Sequence, residues 1–278
     1  LILIDLGPST FLQPYHFLPD PEAVTMEESL YTTLTENGTE VGPQTFAPSR
    51  HYHTSKPVNS YLSMISRTPS VFGLFEEHPR ADKEFVRPFL SGLHEPLGGD
   101  REEVAAYLDS DSGRTAMDGL RLLNTRQYVE SKSNVPTVHL VVDKASPIVV
   151  SKRLEPIHSD DSDPLRMIER MGLDPVNPHC RAILVGEGVP PGELPGVASI
   201  DRISHVVRVG SASITCRVSA DAFCRLTYGY YPNLDLRLDG EPTDYFRTAD
   251  GFIGLQLPEG THEILITGRL SGLRVGIL

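Results

Sequence analysis

Cys216 and Cys224 are the pair in this chain whose type and spacing most directly suggest chemistry. If Ser219, Ala220 and Asp221 form a three-residue hairpin loop, Val218 faces Ala222 and Cys216 faces Cys224 on adjacent antiparallel strands. Opposed cysteines can bond in some geometries, so a disulfide is one reading in an oxidising compartment. Two buried thiols packed as small hydrophobes is the other. With Cys180 there are three cysteines, too few for a disulfide scaffold and without the paired spacing of a zinc site.

A second group is aromatic. Tyr228, Tyr230 and Tyr231 lie close in sequence to Tyr245 and Phe246, with Asn233, Asp235 and Asp239 between them. Sugar-binding β-sandwiches stack pyranose faces on aromatic rings and complete recognition with Asp and Asn hydrogen bonds. Tyr230, Tyr231, Asn233, Asp235 and Tyr245 are therefore the candidate ligand residues, with core packing as the competing role of the rings. Tyr228 continues the inward face of Cys224 and Leu226 and is expected to be buried.

Other combinations do not assemble into a reactive set. His51 and His53 alternate, so on a strand they share a face, but no spacing ties them to Glu76, Glu77, His78, His94 or Glu95. Those residues read as solvated surface, and no metal site is expected. Ser9 follows Gly7-Pro8 without the GxSxG elbow of a hydrolase nucleophile. The glycine-rich stretch GEGVPPGELPG lacks the Lys-Ser or Lys-Thr that completes a phosphate cradle. No catalytic residue and no cofactor is expected.

The formal net charge of −12 argues against nucleic acid as a partner, because the phosphate backbone would be repelled. Hydrophobic residues make up 39% of the 278-residue chain, enough for a folded body. No apolar run reaches the ~18–20 residues of a membrane-spanning helix. The apolar ends, LILIDL and GLRVGIL, read either as buried strands or as places where spans adjoin. Asn37-Gly38-Thr39 fits a glycosylation sequon and equally a turn.

The elements that would position these residues divide into three stretches. Residues 1–158 read as a mixed α/β region: a helix begins near Asp100 with Glu103 at the capping-box position, and a second covers Thr115 to Leu123. The runs RQYVES, TVHLVVD and SPIVVSKRL then read as strands. Residues 159–202, rich in Asp, Pro and Gly, read as a linker with a short helix at 164–171. From 203 to 278, seven short β runs separated by turn residues predict an antiparallel sandwich of jelly-roll type. The expected fold class is thus α+β, with the β-sandwich at the C-terminus.

The run from Ala222 to Ile266 resembles the last extracytoplasmic domain of YfhO-like multi-spanning membrane proteins. The resemblance lies in Tyr230-Tyr231-Pro232, in Asp239-Gly240, and in Leu257-Pro258-x-Gly260-x-His262. In that family Gly-Trp usually follows the Tyr-Tyr-Pro; here Asn233 and Leu234 follow and the chain has no Trp. Fainter similarity covers 120–129 and 146–157. The resemblance implies an extracytoplasmic position at a membrane, periplasmic or cell-surface, through flanking spans outside this chain. It also implies kinship with C-type glycosyltransferases, whose acidic catalytic residue lies in an early loop. On that footing the chain is expected to be non-catalytic and to recognise a glycan or a protein partner. The alternative is a structural or assembly subunit without a sugar ligand. A soluble carbohydrate-active enzyme would need two carboxylates at glycosidase separation, which no sequence feature places.

Overall fold

A computed structural model describes residues 45–46, 50–53, 85–97, 101–130, 137–140, 146–158, 163–174, 176–208, 211–232 and 234–268. The LILIDL and GLRVGIL ends, Ser9, the sequon at Asn37, Glu76, Glu77 and His78 lie outside them.

Two short strands, β1 (Thr45–Phe46) and β2 (Arg50–His53), precede helices Arg87–Leu97, Arg101–Asp109 and Asp111–Leu122. Strands β3 (Thr125–Glu130), β4 (Thr137–Leu140), β5 (Ile148–Ser151) and β6 (Arg153–Pro156) follow. Helix Pro164–Met171 leads to β7 (Ile183–Val185) and β8 (Gly192–Glu193). The remaining strands are β9 (Ile200–Arg208), β10 (Ser211–Val218), β11 (Ala222–Gly229), β12 (Leu234–Leu238), β13 (Glu241–Pro242), β14 (Phe246–Arg247), β15 (Phe252–Leu257) and β16 (Gly260–Gly268).

Local chemistry accounts for the helix ends. The Ser110 hydroxyl accepts the Gly113 N–H at 3.0 Å, capping Asp111–Leu122. Asp163 caps the helix at 164–171 by accepting the Leu165 N–H at 3.0 Å, and Gly172 ends it at φ 57°. Helix Arg87–Leu97 is not anticipated by the sequence reading. Its Pro, Ser and Gly residues obscure the spacing of Phe85, Phe89 and Leu93, all of which are buried.

The fold is α+β with a sandwich-like C-terminal part. One sheet has the order β1-β9-β10-β16-β12-β13 and the other β14-β15-β11-β5. Strand alternation builds two cores on the second sheet. Ala222, Cys224 and Leu226 of β11 join Ile253, Leu255 and Leu257 of β15 and Ile214, Cys216 and Ile264 of the first sheet. The intervening Phe223 and Phe252 point the other way, into a core with Phe85, Phe89, Leu120 and Ile168 of the helices. The second sheet is therefore the middle layer, which is why β11 is buried continuously rather than alternately.

This arrangement changes two expectations. Residues 219–221 do not form a hairpin: β10 pairs with β9 and β16, whereas β11 pairs with β5 and β15. The chain crosses between the sheets there, held by Ser219 N–H donating to the Ser199 carbonyl at 3.0 Å. In addition, residues 163–174 and 176–202 of the stretch read as a linker carry elements that join the rest of the fold. Its β7 and β8 flank β6, and Met167, Ile168 and Met171 enter the helical core. The sandwich in turn draws β5 and β1 from upstream of residue 158.

Candidate functional site

Strand register places the tyrosines at one end of the sandwich. Leu234 pairs with Gly268 and Ser211 with both Arg208 and Thr267, so the end of β11 and the start of β12 share this edge. Tyr230 is anchored there by its N–H, which donates to the Gly251 carbonyl at 2.9 Å.

Of the candidate ligand residues, the structure brings three together. The rings of Tyr230 and Tyr245 lie 5.5 Å apart at 57°, and both pack against the sandwich core. The Tyr245 hydroxyl is 2.9 Å from the Tyr231 carbonyl and 3.2 Å from that of Leu234, and shares its proton between them. It thereby straps the loop that carries Tyr231. Tyr231 itself is 41% exposed, the one aromatic among the exposed large hydrophobics of the described residues. Tyr228, expected to be buried, is half-buried, and its hydroxyl meets His205 Nε2 across the sandwich at 2.7 Å.

Asp235 stands apart from this group. It flanks the buried Leu236 and so projects from the outer face of β12, where Arg237 lies 3.5 Å away. Asn233 lies outside the described residues. Tyr230 and Tyr245 are thus mainly framework, and Tyr231 is the ring that a ligand could cover.

The chain matches no family model, no curated protein and no solved structure.

At the opposite end of the sandwich, sequence motifs read as turns prove to be joined. Leu238 pairs with Glu241 around Asp239 (φ 53°) and Gly240 (φ 87°), a two-residue turn with both central residues left-handed. The Asp239 carboxylate leaves this turn, accepting the Glu263 N–H at 2.8 Å and meeting His262 Nδ1 at 2.7 Å. His262 Nε2 points to the Pro258 carbonyl at 2.9 Å. The Leu-Pro-x-Gly-x-His segment is therefore a clip whose His closes back on its own Pro and onto the Asp-Gly turn.

Cys216 is the cross-strand partner of His262. Cysteine, histidine and aspartate brought together in space are the residue types of a thiol hydrolase, yet the geometry does not support that chemistry. Nε2, the nitrogen that would activate a thiol, is directed at Pro258. Cys216 is fully buried, and burial pushes its thiol up to about 11 rather than down into the reactive range. Burial, followed by the nearby Cys216, raises the Cys224 thiol well above its ordinary value. Burial likewise pushes Cys180 up to about 12.

All three cysteines are free. The hairpin on which the disulfide reading of Cys216 and Cys224 rested is absent: they sit on opposed sheets, not on neighbouring strands. Both are core thiols, and Cys224 donates weakly to the Leu255 carbonyl at 3.4 Å.

The sequence reading also missed a buried ion pair. Arg225 projects from β11 into the layer between sheet and helices, where Nε donates to Asp250 Oδ2 at 2.7 Å and Nη1 to the Leu122 carbonyl at 2.7 Å. The guanidinium lies 4.0 Å from the centre of the Phe252 ring. The available signal was a lone charge inside the apolar run AFCRLTYG, since a strand covered on both faces must pair any charge it carries.

His51 and His53 do lie on a strand, β2, which pairs in parallel with β3. Among the described residues no three His, Cys, Asp or Glu side chains come together as a metal site. No described helix is long and apolar enough to cross a membrane.

Proposed function

We propose that this chain is a non-catalytic recognition domain that binds a glycan at the tyrosine end of its sandwich. The observation that carries this reading is Tyr231: an exposed ring on a loop strapped by Tyr245, whose own ring packs on Tyr230. A loop strapped before binding loses little backbone freedom when a sugar stacks on the ring it carries. The negative charge of the chain favours a neutral or cationic saccharide over an anionic one. The similarity of the Tyr-Tyr-Pro, Asp-Gly and Leu-Pro-x-Gly-x-His segments to YfhO-like proteins supports an extracytoplasmic position in a membrane protein related to lipid-linked-sugar glycosyltransferases. Its spans would lie outside this chain.

The test is titration of neutral oligosaccharides into the protein, followed by calorimetry and by the NMR signals of the tyrosine rings. Saturable binding that Tyr231→Ala abolishes supports the proposal. No saccharide binding at millimolar concentration contradicts it. Protease accessibility of this domain from outside intact cells tests the location.

One observation favours the second reading, an assembly subunit with a protein partner and no sugar. Val176 and Val197, 86% and 83% exposed, are apolar side chains on loops of the intervening segment. A stoichiometric partner lost on substituting both valines by Asp, with saccharides inert, would establish that alternative.

A further inference from the structure

His262 is held on both sides by groups that only accept hydrogen bonds. Asp239 Oδ2 lies 2.7 Å from Nδ1, the Pro258 carbonyl 2.9 Å from Nε2, and the residue is 7% exposed. Backbone carbonyls have no proton to give, and an ionised carboxylate has none either. Both contacts are hydrogen bonds at once only when both ring nitrogens donate. A neutral imidazole has one N–H and would turn a lone pair toward one of these oxygens.

We infer that His262 is a proton-operated latch: as the imidazolium it ties the turn at 258–261 to the turn at Asp239–Gly240, and when it loses a proton it releases Pro258. Release falls on that side because the carboxylate contact is charge-assisted and keeps the remaining proton at Nδ1. Gly260 makes the closed form possible. At φ 142° it brings the chain beneath the ring, and a Cβ there would stand 3.4 Å from Nε2.

The groups around the ring set the conditions. From the β12–β13 turn comes Asp239: burial raises its carboxyl, but the Glu263 N–H and His262 outweigh this and hold it below the usual range. It therefore stays ionised until strongly acid pH. On the same hairpin Arg237 donates to the Gly240 carbonyl at 3.2 Å and pairs with Asp235. From β10 comes Cys216, a neutral thiol. In the turn itself Glu259 gives its N–H to Asp221 Oδ1 at 2.8 Å, so the near side of the turn stays tied when the far side is freed. The latch is closed while Asp239 is ionised and the ring carries both protons, and it opens when the ring gives one up.

Nitrogen-detected NMR of the histidine rings tests this, with His262 assigned by its absence from a His262→Gln variant. The expected result is two protonated ring nitrogens at pH 5.5 and loss of the Nε2 proton by pH 8.5. Amide protection at 260–262, corrected for intrinsic exchange, should fall about tenfold over the same interval. The wild-type spectra decide even where the variant is unstable. A ring neutral at pH 5.5, or turn protection that does not change with pH, overturns the inference.

Discussion

Arg225 and Asp250 form an ion pair of 2.7 Å with side chains 0% and 4% exposed, at the seam where the middle sheet meets the helices. The Thr248 hydroxyl donates to the other Asp250 oxygen, and Arg225 Nη1 reaches the last carbonyls of helix Asp111–Leu122 at Leu122. A lone buried charge is far more costly than a paired one, so the pair enforces how the layers dock. Arg225→Ala or Asp250→Ala is expected to destabilise the protein by about 3–5 kcal/mol. Replacing both with apolar residues should recover much of that loss. Urea unfolding of the two single variants and the double variant measures the coupling.

The packing of the helices against one another leaves no room at Gly119. A Cβ there would stand 2.3 Å from the Phe89 ring and 2.6 Å from Ile168 Cδ1. Alanine improves helix propensity by up to about 1 kcal/mol, while overpacking costs about 1–3 kcal/mol. Gly119→Ala is therefore expected to lower the unfolding midpoint despite its better propensity, as thermal denaturation would report. An unchanged or raised midpoint would mean that Phe89 and Ile168 move aside freely.

Burial makes the thiols unreactive. With Cys180 pushed up to about 12 and Cys216 to about 11, all three cysteines should resist a maleimide at pH 8 in the native protein and react in denaturant. Mass spectrometry counts the adducts. An oxidant should likewise leave Cys216 and Cys224 unlinked in the folded state, and a native Cys216–Cys224 bridge would show that the sheets approach more closely.

Asp239 links stability to acid pH. Its carboxyl lies lower in the folded protein than in the unfolded chain, so its stabilisation is fully present above the unfolded value, near 3.8, and fades as pH falls through the folded value. Asp239→Asn, which still tolerates a left-handed backbone, should lower stability at neutral pH, converge on the wild type in strong acid, and so flatten the acid limb of the stability profile below about pH 4. An acid limb identical to wild type would remove Asp239 from this role.

The sequence made the strand-turn rhythm of the C-terminal part legible because turn residues such as Asp239-Gly240 state their geometry locally. The helix at 101–109 was legible through the Glu103 capping signal, and the one at 111–122 only from Thr115 onward, through apolar spacing, its first turn and Ser110 cap being missed. What remained hidden was pairing across distance. A three-residue gap between β10 and β11 suits a hairpin and an inter-sheet crossing equally, and only the burial of β11 on both faces decides between them. Likewise, the Asp-Pro-Gly composition of 159–202 marks its turns correctly but hides the three-residue strand β7, whose burial comes from its neighbours. At the tyrosine end, sequence identified the rings but not their division of labour, which depends on where the Tyr245 hydroxyl finds acceptors.

The most direct test of the recognition reading compares Tyr231→Ala with wild type for binding of neutral oligosaccharides, with thermal stability measured in parallel. An exposed ring contributes little to the core, so the expected result is an unchanged unfolding midpoint with saccharide binding lost, a drop of at least about tenfold in affinity. Binding that survives the substitution, or a wild-type protein that binds no saccharide, would contradict the assignment of this end of the sandwich as a glycan site.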